Sequence, residues 1–433
     1  MPAKPTAISV RAYDVGFGDC LLLSVHYGST AKHVLIDFGS TSLPTGKQGS
    51  GAYMGRIAKQ IATDCGGKLT AVVATHRHRD HISGFGGKGE KSTGGIINGL
   101  NPELVIQPWT EDPDAARDAK KVAGPARGAR FRRNAMLLNL DSMNHFAGLV
   151  EQTAGTLRGR EFAAVRNQLQ FIGDDNSLKN RDAVVRLMGM GTRKPRYLSE
   201  GMASGLDTLL PGVKVHVLGP PTVEQAPDLK KQTETQKDEF WHLRKGFWAS
   251  RRVAAEEVKD VARPLFPGAV TRVPWDARWY RYRAQAELAE NLLSIVRTLD
   301  TAMNNTSLVL LFEVGNTCLL FPGDAQWENW QYALGQEKYL KLLKRVNLYK
   351  VGHHGSLNAT PKTLWKQFSN RGSASKAHRL LSMMSTKTGV HGDSPETAVP
   401  RTTLVTALKH ETTLTDTRDA KPTELSRLQT IPL

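Results

Sequence analysis

Apolar and polar positions along the 433-residue chain fall into alternating strand-like and helix-like regimes. Short apolar runs bounded by Gly or Ser predict strands at 8–13, 20–27 and 33–37, and the pattern recurs at 69–75 and 104–109. Between them, 53–65 carries apolar residues at helical spacing. From about 110 to 205 the pattern is helical and charged, and within it Met136, Leu137, Leu140, Met143 and Phe146 share one helix face. Strand character returns at 213–218 and stops at Gly219-Pro220-Pro221. A helical, aromatic and basic stretch then fills roughly 222–300. Two strongly apolar runs follow, 307–314 and 317–321, separated by Gly315-Asn316 in the manner of a hairpin turn. One more strand is predicted at 348–351, and the polar end from about Thr412 reads as an exposed tail.

Strand-rich ends around a helix-rich middle point to an α/β chain. Its length suits two or three average domains, or one large two-layer domain with insertions. No apolar run reaches the roughly 18 residues of a membrane span, and residues 1–6 lack the apolar stretch of a secretory signal. Cys20, Cys65 and Cys318 are scattered and odd in number, which suits neither a disulfide framework nor a cysteine-rich zinc site. A cytoplasmic location is the expectation.

One cluster carries chemistry. His76-Arg77-His78-Arg79-Asp80-His81 follows the strand at 69–75, so it lies on a loop at a strand's C-terminal end. Two histidines at i and i+2 of an extended segment point the same way, and Asp80-His81 can face the same cavity from the following turn. Imidazole and carboxylate suit zinc, manganese or iron. Four such groups together are costly to desolvate without a cation. Gly323-Asp324 closes the apolar run before it, where a carboxylate is either a turn or cap residue or a bridge between two metals. Gly352-His353-His354-Gly355-Ser356 again follows a strand, and its glycines allow unusual backbone angles and close approach of a metal or substrate.

Taken in order, these pieces resemble the metallo-β-lactamase superfamily, in particular the branch typified by the hydrolase domain of ComEC-type DNA-uptake proteins. Asp14-Val15-Gly16-Phe17-Gly18-Asp19-Cys20 resembles that branch's D-V-G-Q-G-D-A, with Phe17 and Cys20 as departures. Leu35-Ile36-Asp37-Phe38-Gly39 resembles its second strand, ending D-x-G, and His76 to His81 matches H-x-H-x-D-H. Asn305-Thr306-Ser307-Leu308-Val309 resembles N-x-S-L-V, Phe321-Pro322-Gly323-Asp324-Ala325 resembles F-x-G-D-A, and His353 to Ser356 resembles H-H-G-S. The likeness covers roughly 8–110, 205–221 and 302–410.

The resemblance implies a four-layer αβ/βα sandwich. Residues 1–110 would be its first half, 111–205 a helical insertion, 206–221 a core strand, 222–300 a basic aromatic helical insertion, and 301–433 the second half with a polar tail. It implies two divalent ions, zinc or manganese, at the edge between the sheets. His76 and His78 would bind one, Asp80 and His81 the other, with Asp324 as bridge and His353 or His354 completing the second site. His353 is favoured as the nearer to the strand end. Asp80, His81 and Asp324 would carry catalysis, and Asp37 would orient a ligand histidine. Asn305 stands nearest in order to the place where the wider superfamily often supplies a further His, so the first metal is expected to be held weakly or not at all. Asp14 and Asp19 would shape the same edge without being ligands. His145, His216 and His242 lack motif support and read as structural.

The resemblance further implies a metal-bound hydroxide able to attack phosphodiesters, amides, lactones or thioesters. Charge selects among them, because a net charge of +17 draws in polyanions. Basic residues concentrate at 127–133 and 230–252. Trp241, Phe247, Trp248, Trp275, Trp279, Tyr280 and Tyr282 lie among Arg244, Lys245, Arg251, Arg252, Arg278, Arg281 and Arg283. Such interleaving can stack bases and neutralise phosphates; it also suits a helical cap with its own aromatic core. The expected activity is a phosphodiesterase or nuclease acting on nucleic acid. The alternatives are a small-molecule hydrolase of phosphocholine esterase or lactonase kind, and a nucleic-acid-binding component with a structural metal.

Overall fold

The computed structural model describes residues 4–47, 50–115, 121–122, 180–226, 303–358, 360–390, 398–421 and 423–433, with the isolated positions 279, 283 and 287. Packing divides the chain into two units, one of Met1–Leu140, Lys179–Trp241 and Ala302–Leu433, the other of Asp141–Leu178 and His242–Thr301. All the elements named below belong to the first. In chain order they are β1 (Ala7–Tyr13), β2 (Cys20–Tyr27), β3 (Thr30–Phe38), α1 (Ser50–Asp64), β4 (Ala71–Val73), α2 (Arg79–Ile82), α3 (Thr93–Gly99), β5 (Leu104–Pro108), α4 (Arg181–Leu187), β6 (Arg196–Leu198) and β7 (Lys214–Gly219). The second half runs β8 (Val309–Val314), β9 (Thr317–Phe321), α5 (Trp327–Leu334), α6 (Glu337–Lys344), β10 (Val346–Lys350), α7 (Lys362–Gln367), β11 (Leu381–Met384), α8 (Thr402–Glu411), β12 (Thr413–Asp416) and β13 (Ser426–Pro432).

The α/β class expected from the sequence is present as two mixed sheets with helices. One sheet has the order β13-β1-β2-β3-β4-β5-β6, the other β12-β11-β10-β9-β8-β7. Strands β3 to β6 are parallel to one another, as are β9 to β12. Side chains alternate across each strand, and the alternation sorts the core. Leu21, Leu23 and Val34 of the first sheet share one cluster with Leu310, Phe312 and Phe321 of the second, so the sheets pack face to face. On the second sheet's other face, Val309, Leu311 and Leu320 pack with Trp330, Tyr339, Leu343, Leu364, Phe368 and Leu408 from the helices α5 to α8 and their ends. A strand covered on both faces needs an unbroken apolar run, which is why 307–314 reads as it does. Each such buried side chain contributes about 1.5–3 kcal/mol.

Two expectations are corrected. The polar end is not a free tail: β13 pairs antiparallel with β1 along its whole length, from Ala7↔Pro432 to Tyr13↔Ser426. An edge strand satisfies its backbone on one side only and can keep most side chains in water, so its composition is that of a tail. The stretch expected to be helical up to 205 contains β6, which extends the first sheet through Ile106↔Arg196; three residues are too few to show a period. Apart from 111–115, 121–122, 180–205 with α4 and β6, 222–226 and the isolated positions, both expected insertions, with 134–149, His145, His242 and the two basic segments, lie outside the described residues. Among the described residues, no helix is long and apolar enough to cross a membrane.

Candidate metal centre

Parallel strands deliver their C-terminal ends to a common edge, where polar groups need no longer satisfy a ladder. At that edge β3 ends beside Asp37, β4 leads to Thr75 and His76, β9 to Asp324, β10 to His353 and His354, and β11 to Ser385. The two sheets are tied there by Leu308 N donating to Thr75 O at 2.9 Å. Backbones also approach closely. A Cβ on Gly39 would lie 2.4 Å from Asp80 C and His81 N, and one on Gly18 would lie 2.7 Å from Asp80 O. Asp37, His353 and His354 adopt positive φ of 56°, 41° and 52°, a left-handed conformation that costs a non-glycine residue energy and persists where surroundings enforce it.

Asp37 commits both oxygens. Its Oδ1 accepts from Thr75 N at 2.7 Å, and its Oδ2 from Thr75 Oγ1 at 2.7 Å and His81 Nδ1 at 2.8 Å. His354 Nδ1 lies 3.0 Å from Ser385 O, whose side-chain hydroxyl donates to Gly18 O at 2.6 Å. Both rings therefore use Nδ1–H on the protein and turn Nε2 inward. His81 Nε2 lies 3.1 Å from Asp324 Oδ2 and 3.8 Å from Asp80 Oδ2, while His354 Nε2 lies 2.8 Å from Asp80 Oδ2 and 3.7 Å from Asp324 Oδ2. Ligands of a tetrahedral zinc at 2.0–2.1 Å are separated by about 3.3 Å, and the four distances straddle that value. His76 Nε2 and His78 Nδ1 converge 2.9 Å apart beside this group, with the His76 ring 4.2 Å from that of His81.

Asp19, His81, Asp324 and His354 form a buried group whose ligand atoms lie within 4.8 Å of one another and which could hold a metal ion. Asp19, however, sits on the Nδ1 side of both rings, 3.8 Å from each. Asp80 faces the Nε2 side, so the inward set of His81, His354, Asp80 and Asp324 is the better cage. Its chemistry fits a cation on a second count. Asp324 Oδ1 is buried with no hydrogen-bond partner, and such an orphaned group is costly unless something else satisfies it.

Burial pushes His76 well below the ordinary histidine value, with His81 and His78 adding to the effect, and it takes His78 down to about 4. Both are neutral imidazoles near pH 7, the form that binds metals. For His81 and His354 burial pulls the same way but loses to the facing carboxylates, Asp324 foremost, and both are raised. Asp80 and Asp324 are held down in return: burial opposes their charge, and the imidazoles, led by His81, overcome it.

The structure thus brings His76, His78, Asp80, His81, Asp324 and His354 to one edge, with Asp37 behind His81. Sequence order favoured His353, but the distances favour His354: its ring is fully buried, whereas the His353 side chain is 25% exposed with Nε2 3.8 Å from Asp324 Oδ2. Consecutive residues in left-handed conformation turn their side chains apart. Asn305 is buried and donates from Nδ2 to Glu328 Oε2 at 2.9 Å. His216 sits on β7, paired with Glu313 at 2.8 Å. Asp14 is half-buried at the start of the 14–19 loop, where burial lifts its carboxyl to about 6.

Two residues at the edge have no place in the sequence motifs, Lys350, which pairs with Asp19, and Ser385; Phe17, a departure within the Asp14–Cys20 motif, is a ring neighbour of His354 at 4.5 Å. Lys350 had a signal, since a lysine two residues after Leu348 takes the inward side of a buried strand. Comparison of the chain with protein-family models and with curated proteins finds no match.

Proposed function

We propose that this chain is a metal-dependent hydrolase with a metallo-β-lactamase-like four-layer arrangement, acting on phosphodiesters and foremost on nucleic acid. The observation that carries the reading is the convergence of His81, His354, Asp80 and Asp324 through their inward atoms, with the His76–His78 pair alongside, at the strand ends of two packed sheets. A divalent ion in the inward cage would supply Lewis acidity and lower the pKa of water, and a second beside His76 and His78 would stabilise developing charge on a phosphodiester. The chain's own residues do the preorganising. Asp37 and Ser385 O fix the tautomers of His81 and His354. Asp324 lies within reach of both rings and is anchored by Ser307 Oγ accepting from its backbone N at 3.2 Å. Nucleic acid as substrate is supported by the charge of +17 and by Trp279, 50% exposed in the basic aromatic stretch.

The test is incubation of the full chain with single- and double-stranded DNA and RNA, with Mn²⁺ or Zn²⁺ and with chelator. Chelator-sensitive cleavage is expected, falling at least about a thousandfold in Asp80→Asn and Asp324→Asn. Turnover of bis-p-nitrophenyl phosphate or a lactone without cleavage of any nucleic acid would move the substrate to small molecules. No hydrolysis by a chain that demonstrably binds metal would sink the hydrolase reading.

A further inference from the structure

Lys350 is the last residue of β10, shares the inward side with Leu348, and is only 2% exposed. Its Nζ pairs with Asp19 Oδ2, and Asp324 and Asp37 also act on the ammonium. Asp19 stands behind both inward-facing rings, with Oδ2 3.8 Å from His81 Nδ1 and Oδ1 3.8 Å from His354 Nδ1. Neither ring needs it as acceptor, because Asp37 and Ser385 O already serve those nitrogens, and Asp19 Oδ1 has no hydrogen-bond partner. Stability alone does not account for such a pair, since apolar residues of similar volume do as well or better.

We propose that Lys350 and Asp19 form a built-in charge pair that sets how strongly the centre holds its metal. The ammonium occupies Asp19 and keeps it out of the ligand set, and its charge opposes a cation at His81, His354, Asp80 and Asp324. Asp19, from behind the rings, favours that cation. Both are positioning residues, and the inference rests on the metal-centre reading. Charges in a buried site are weakly screened, so deleting one member and deleting the other move affinity in opposite directions. Loss of packing alone weakens binding in both.

The measurement is the affinity of the full chain for Mn²⁺ and for Zn²⁺, by calorimetry or competition with a chromophoric chelator, with thermal melting to verify the fold. Lys350→Met is expected to tighten binding, and Asp19→Asn to weaken it, each by at least about tenfold. The double variant is expected to return to within about threefold of wild type. Lys350→Gln, which keeps a donor towards Asp19, has the same expected sign and serves if Lys350→Met does not fold. Opposite shifts support the charge pair; weakening in both single variants, or no shift in either, overturns it. A wild-type chain that binds neither ion overturns both this inference and the metal-centre reading. Opposite shifts in a chain that binds the ions but hydrolyses nothing leave the inference standing and sink only the proposed activity.

Discussion

Single side chains at this centre are held from outside the cage. Asp37 reaches His81 Nδ1 at 2.8 Å while both its oxygens also hold Thr75. Replacing it by asparagine puts an amide where an acceptor is needed, and Asp37→Asn is expected to lower Mn²⁺ affinity by about 10–100-fold; an unchanged titration would show that His81 needs no such support. Protonation supplies a second residue-scale expectation. His81 and His354 are raised above the ordinary 6.5 by Asp324 and its neighbours, which outweigh burial. Metal must expel those protons, so affinity rises with pH through the raised values, with about one or two protons released per ion near neutrality. Calorimetry in buffers of different ionisation enthalpy measures the number, and zero would contradict the assignment. In the metal-free chain the same raised values stabilise the fold fully below the unfolded value of 6.5, and that contribution is lost as pH rises through the folded values.

At the scale of elements, the strand ends matter more than the strands. Asp37 sits at the end of β3 itself, the ligand candidates sit on short connections after β4, β9 and β10, and the sheets aim them. The same scale decides the chain's end. Gln429 and Thr430 look like tail residues, yet β13 runs the length of β1 and Ile431 packs against the shared core. Removing 423–433 would leave the edge of β1 unpaired and part of the core uncovered. The shortened chain is expected to melt several degrees lower and to self-associate, as judged by thermal scans and sedimentation; behaviour identical to the full chain would mean the pairing contributes nothing.

For the whole molecule, the surplus of positive charge is the property that no single element carries. Lys+Arg number 58 against 41 Asp+Glu, while the metal edge itself concentrates buried carboxylates. On the proposed reading, a polyanionic substrate would be drawn by the charge of the molecule at large before it meets the centre. Binding of DNA or RNA is expected to weaken steeply with salt, log Kd rising with log[salt] at a slope of about 3 or more. A flat response, measured by anisotropy across salt concentrations, would remove the charge argument for nucleic acid and leave the metal chemistry untouched.

The sequence by itself determined the α/β class, most of the strands, and the residues that gather at the edge. These are local properties: apolar runs report burial on two faces, and H-x-H-x-D-H concentrates ligand types within a few residues. Only the tertiary structure sets His354 apart from His353, because the difference depends on which way two left-handed residues turn their rings. It also decided that the polar end is a strand, since this edge strand's partners lie 413 to 425 residues away, from Tyr13↔Ser426 to Ala7↔Pro432. The pairing of Lys350 with Asp19 spans 331 residues. Each residue alone is an ordinary strand-end charge, and only the packing of one sheet on the other places them together behind the metal edge.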